Sequence, residues 1–173
     1  MTAMADLIQR ARKKEACIVW NLAPMQSVDL SLLKQVDCLI VNEGELNQLH
    51  SEFHQTPEPN KDSAKDVEQK AWDIFTLTRQ SVVVTLGANG TLAVHNNTLL
   101  TVPALAISPV DTVGAGDAFT GAFTAALDRG ETFLVALRWG NVAGGLACLE
   151  TGAQSSLPTA AKISEHLAAL PGA

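Results

Sequence analysis

Tyrosine is absent and aromatic residues make up only 5% of the sequence; no basic patch carries interleaved rings. Twelve basic residues stand against eighteen acidic ones, a formal net charge of −6. Together these features argue against nucleic acid as a partner, which calls for clustered positive charge and stacking platforms. Cysteine is scarce. Cys17, Cys38 and Cys148 are odd in number, far apart, and form no CxxC spacing. That excludes a disulfide framework and reads as three small buried hydrophobes in apolar runs rather than zinc ligands. Unpaired thiols fit a reducing, cytoplasmic setting.

Long apolar runs are lacking as well. Residues 1–16 alternate charged and apolar side chains, so neither a signal peptide nor a membrane span is expected, and Asp6 and Glu15 count against a transit peptide. Repeats and low-complexity segments are missing. What remains is a chain of 173 residues, 47% apolar with mean hydropathy +0.14. This is enough for one domain, 1–173, with a sizeable core.

The pattern alternates helix and strand. Apolar residues Met4, Leu7, Ile8 and Ala11 predict a helix over 3–14, and ACIVW predicts a buried strand over 16–20. A turn follows through Pro24, then a short helix over 29–35, a strand CLIVN over 38–42 and a helix over 43–50. Residues 51–62 read as a polar loop, 63–79 as a helix and 81–87 as the strongest strand. A turn at 88–90 leads into two antiparallel strands, TLAVH and LLTVPA, and then helices over 115–128, 131–149 and the tail from 159. Alternating units of this kind predict an α/β fold: a doubly wound, mostly parallel sheet with helices on both faces, ligands binding beyond the strands' carboxyl ends.

Gly114-Ala115-Gly116-Asp117 opens an apolar, helix-forming stretch. Small residues there let backbone N–H groups converge at a helix N-terminus, where an anion is favoured. Asp117, in the first turn, is placed to accept a proton from an attacking hydroxyl. The plainer alternative is a glycine turn with an acidic helix start. By themselves, Asn42-Glu43-Gly44-Glu45 reads as a helix cap and 85–90 (TLGANG) as an ordinary glycine turn joining two strands. Residues 152–158 (GAQSSLP) are by themselves a polar turn after a helix.

VDTVGAGDAFTGAF, over 110–123, resembles the C-terminal motif of the ribokinase (PfkB) family of carbohydrate kinases. The resemblance makes Asp117 the catalytic base that contacts the substrate, and Gly114, Ala115 and Gly116 the anion hole for the transferred phosphate. Asn42 and Glu45 match the family's NxxE, which organises magnesium and the nucleotide phosphates, Glu45 acting on the metal indirectly. Thr85, Gly87 and Gly90 match the TxGxxG turn that borders ATP, Gly116 is likewise implied to bind ATP, and Asn141 matches a position facing the adenine. The loop ending in GAQSSLP resembles a monovalent-cation (K+) site. Its ligands would be the Asp111 carboxylate, carbonyls near Val113, Ala147, Glu150 and Gly152, and the Ser156 hydroxyl.

Asn21-Leu22-Ala23-Pro24 stands where ribokinases carry NPAP, and with GAQSS it favours ribose among sugars. Leu22 in place of proline is expected to loosen that turn. The resemblance spans the chain but only the later part of the family's length. The first Rossmann-like strands, a glycine-rich sugar motif and a β lid have no counterpart before Met1. The implied activity is therefore ATP-dependent phosphorylation of the ribose 5-hydroxyl, weak or missing in this chain alone. Truncation is expected to expose a sheet edge and favour self-association or complementation. The alternatives are a family member acting on another sugar or a nucleoside, and a non-catalytic nucleotide-binding remnant. No histidine is assigned a role. His50 and His54 have i, i+4 spacing that would suit a metal, but read more simply as a solvated helix end.

Overall fold

In the computed structural model, residues 3–54 and 63–170 are described. They gather into two compact units, Met1–Thr85 with Leu92–Leu99, and Leu86–Thr91 with Leu100–Ala173.

The first unit opens with α1 (Ala3–Arg12), which buries Ala5 and Ile8. The chain reverses at Glu15, a non-glycine residue at φ 55°, and the Ala16 N–H donates to Ala11 O. That reversal delays β1 to Val19–Asn21, later than ACIVW suggested. The Arg12 guanidinium donates to Gln35 O (2.6 Å) and Asp37 Oδ1 (2.9 Å), while the Ile18 N–H donates to Asp37 Oδ2 (2.7 Å). One carboxylate thus joins the helix, the strand entry and the next turn.

After α2 (Leu30–Leu33), capped by Asp29, comes β2 (Cys38–Asn42), with Cys38 to Val41 buried and Asn42 exposed. Helix α3 (Glu43–Phe53) runs past the loop start expected at 51, because Leu46 and Leu49 bury one face and His54 closes its end. The rest of that loop, 55–62, lies outside the described residues. Helix α4 (Ala64–Thr78) begins at Ser63, whose hydroxyl accepts the Asp66 N–H. Strand β3 (Ser81–Thr85) follows; Val82, Val83 and Val84 are fully buried. Unbroken apolar runs of this length belong to strands covered on both faces, and β1, β2 and β3 do pair in parallel, with Trp20 opposite Leu39 and Leu39 opposite Val82.

Strands β4 (Thr91–His95) and β5 (Thr98–Val102) complete a mixed sheet in the order β1-β2-β3-β4-β5. They are joined by Asn96 and Asn97 alone, both at positive φ, as a two-residue hairpin demands. The described residues hold seven α-helices beside these five strands, an α/β fold.

The second unit is built on α5 (Ala115–Asp128) and α6 (Phe133–Ala147), with α7 (Ala160–His166) behind them. Phe123 is fully buried against Phe119 (6.0 Å between ring centroids) and edge-on to Phe133 (5.3 Å). A buried ring of this size contributes ~2–3 kcal/mol. Close approach of the two helices requires Gly140, where a Cβ would fall 2.6 Å from Phe119 Cε2.

Cys38 and Cys148 are buried, but Cys17 is exposed, because the chain has not yet entered β1 at that point. Burial pushes the Cys38 thiol pKa well up. Among the described residues no helix is long and apolar enough to cross a membrane.

Candidate active site

In the second unit the GAGD segment forms the start of α5. Gly114 is its N-cap at φ 82°, and no side chain caps the helix. A Cβ on Gly114 would lie 2.8 Å from Ala153 O, so dihedral and space both restrict this position to glycine. A Cβ on Gly116 would meet nothing within 4 Å, which leaves open space over the first turn. The first N–H groups of an α-helix have no intrahelical acceptor, and their partial positive charge favours an anion. Asp117 is exposed, and none of the described residues hydrogen-bonds its carboxylate. It lines a cleft of about 250 Å³ together with Gly121, Ala122, Arg129, Trp139 and Leu157.

Just upstream, Asp111 accepts the Val113 N–H on Oδ1 (3.1 Å) and the Gly152 N–H on Oδ2 (3.2 Å). These two bonds hold its carboxyl below the usual carboxylate range. The Val110 and Asp111 N–H groups both donate to Cys148 O. The segment entering α5 is therefore fastened to the segment leaving α6. Of the other residues expected around a monovalent cation, Ala147 is buried, Gly152 is half-buried, and Val113 and Glu150 are exposed. Ser156 is 4% exposed, and its hydroxyl has no hydrogen-bond partner among the described residues. A buried hydroxyl without a partner is costly, and a cation bound by that oxygen would satisfy it. The donor set of carboxylate, carbonyls and hydroxyl suits a hard cation.

The glycine turn of this unit is a 3-10 turn over Gly87–Asn89, closed by Leu86 N–H to Gly90 O (2.8 Å). Gly90, at φ 90°, passes so near the end of β5 that a Cβ would lie 2.1 Å from Val102 O. Asn141 reaches the same place from α6. Its amide donates to Val102 O (2.9 Å) and Pro103 O (3.1 Å), and its Oδ1 accepts the Thr91 hydroxyl (2.5 Å). Asn141 is 7% exposed, far from the surface asparagine its sequence context permitted. Thr91, its partner across fifty residues, carries no signal in the sequence.

In the first unit Asn42 and Glu45 form a capping box. Asn42 Oδ1 accepts the Glu45 N–H and Glu45 Oε2 accepts the Asn42 N–H, both at 2.8 Å. Asn42 Nδ2 and Glu45 Oε1 take no part in the box. The Thr85 hydroxyl donates to Val41 O (3.4 Å), tying the ends of β3 and β2. At the edge strand, the Leu22 N–H donates to Ile40 O (3.0 Å) and its side chain is 3% exposed. Proline has no N–H to give. The leucine therefore fastens this turn, contrary to the loosening expected of it.

Residues 1–160 match the family model described as pfkB family carbohydrate kinase. A ribokinase of Haemophilus influenzae is 32% identical over 160 residues, 92% of this chain and 50% of its own length. Among solved structures, a Thermotoga maritima ribokinase superposes with a TM-score of 0.83 at 29% identity, covering 94% of this chain and 52% of that one. An Arabidopsis thaliana ribokinase complexed with ribose and ATP gives 0.82 at 25%, covering 95% and 51%. The chain thus spans about half the length of the proteins it matches. By the family model that spans most of its length and by these relatives, the chain belongs to the pfkB family of carbohydrate kinases.

Proposed function

We propose that this chain carries the nucleotide-binding and phosphoryl-transfer half of an ATP-dependent sugar kinase of ribokinase type, with the 5-hydroxyl of D-ribose as acceptor. The observation that carries the reading is the exposed, unpartnered carboxylate of Asp117 in the first turn of an uncapped helix start. In this reading Asp117 takes the hydroxyl proton as the sugar oxygen bonds to the γ-phosphorus and the bond to the bridging β,γ-oxygen breaks. The N–H groups from Gly114 to Gly116 hold the charge that develops on the transferred phosphoryl oxygens. Thr85, Gly87 and Gly90 border the nucleotide. Asn42 Nδ2 and Glu45 Oε1 are the atoms left to serve the phosphates and magnesium, which neutralises phosphate charge when bound. Asp111, Ser156 and the carbonyls near Val113, Ala147, Glu150 and Gly152 would hold a potassium ion, which would stiffen the turn before α5. Asn141 acts as a positioning residue for the Gly90 turn, since its polar atoms are engaged within the protein.

Ribose-dependent ADP release by the 173-residue chain is expected far below the ~10 s⁻¹ typical of enzymes. Asp117→Asn should lower the remaining rate ~10²- to 10⁴-fold and leave ADP affinity, read by calorimetry, unchanged. Turnover that survives the substitution refutes the base assignment. Faster phosphorylation of fructose or a nucleoside than of ribose refutes the substrate.

A further inference from the structure

We propose that His50, His54 and Asp73 form a binding site for a divalent transition-metal ion, zinc being the ion the donor set suits best. One ligand atom from each side chain lies within 4.8 Å of the other two, and all three residues are half-buried. His50 and His54 stand one turn apart at the end of α3, and Asp73 comes from the facing side of α4. The imidazole rings stack at 4.2 Å between centroids and 4° between planes, so their nitrogens are presented side by side. His50 Nε2 already meets Asp73 Oδ2 at 2.9 Å. The Gln69 amide donates to the other oxygen of Asp73 at 2.9 Å, fixing the carboxylate from outside, as partners of metal ligands commonly do.

Two imidazoles and a carboxylate are the ligands of zinc, nickel and copper sites, whereas magnesium and calcium take oxygen. The site is therefore separate from the magnesium that accompanies a nucleotide. Ligand atoms ~2.0–2.2 Å from one ion stand roughly 3.5 Å apart, so closing the set needs side-chain movements of about an ångström. Lys70, one turn before Asp73 on α4, has its charge paired with Asp66 at 2.6 Å and also donates to Asn47. Three protein ligands leave a coordination position for water. The ion would clip the end of α3 to α4 and, binding only the folded chain, raise its stability.

The test uses the full 173-residue chain with Cys17→Ser, which removes the exposed thiol as a competing ligand. Zinc titrated by calorimetry is expected to bind one ion per chain, and the thermal midpoint should rise with zinc and fall back with a chelator. Cobalt should give visible bands with no thiolate charge-transfer band. His54→Gln and, separately, the isosteric Asp73→Asn should each weaken zinc binding by about 100-fold or more, and Gln69→Leu by about tenfold. The metal-free midpoints of the variants show whether each has folded. No zinc binding at micromolar concentration, a thiolate band, or unchanged affinity in folded His54→Gln or Asp73→Asn would overturn the proposal.

Discussion

Replacing Asn141 by leucine tests whether this residue holds the second unit together or serves the nucleotide alone. Leucine keeps the branched outline of asparagine but sets two larger methyl groups where the amide oxygen and nitrogen stood, so the change removes the hydrogen bonds and adds bulk at a buried site. Three are lost: the two from the amide to Val102 O and Pro103 O, and the one accepted from Thr91, which is 1% exposed. At about 1 kcal/mol net for each, the cost is about 3 kcal/mol, a large share of the ~5–15 kcal/mol that holds an ordinary domain folded. For a chain of this size that corresponds to a fall of about 6–12 °C in thermal midpoint, measured by circular dichroism. Thr91→Val should cost about 1–2 kcal/mol, and the double variant less than the sum, since both singles break the same bond. A leucine variant within about 0.5 kcal/mol of the parent, but with weakened ADP binding, would refute the structural role and restore Asn141 as a nucleotide contact.

Two further outcomes follow from orphaned or half-buried groups. Ser156→Ala should unfold no more easily than the parent in potassium-free buffer, because the lost hydroxyl has no partner to abandon; potassium should raise the parent's midpoint and leave the variant's unchanged, and an equal rise in both would exclude Ser156 as a ligand. His95, at the end of β4, accepts the Asn96 amide on Nε2 and shares a 2.8 Å bond with the Ser81 hydroxyl, and burial lowers its pKa. The unfolded chain takes up that proton at about pH 6.5 before the folded chain does, so stability present at neutral pH should decline as pH falls through the lower folded value. His95→Gln should flatten urea-denaturation midpoints between pH 7 and 5, and an unchanged slope would refute the assignment.

Much of the fold was legible because neighbouring residues dictate it. The valines of β3 announce a covered strand, and Gly114 with Asp117 announces a helix start. Asn42 and Glu45 were readable as a cap for the same reason, since their partners lie three residues apart. What escaped was set by distance along the chain. Asn141 finds Thr91 fifty residues away, and Asp73 completes a cluster with His50 from another helix twenty-three residues on. The exposed Cys17 and the late start of β1 share one cause, the reversal at Glu15. That turn depends on a positive φ in a residue which does not favour it. The N–H that leucine gives at position 22 has value only because Ile40 O stands opposite it.

The bond from Gly152 to Asp111 closes a span of forty-one residues, with both α5 and α6 inside the loop. Closing so long a loop from an open chain costs about 3 kcal/mol of entropy, whereas the contacts between the two helices are largely local and inexpensive to search. Order of assembly follows from that difference. The helical hairpin is expected to form first, bringing residues 111 and 152 close enough for the carboxylate to reach its second amide. The turn before Asp117 is thus among the last parts of this unit to be set and, by reversibility, among the first to be released. Amide exchange at Val113 and Gly152 should outpace that of the helices it joins.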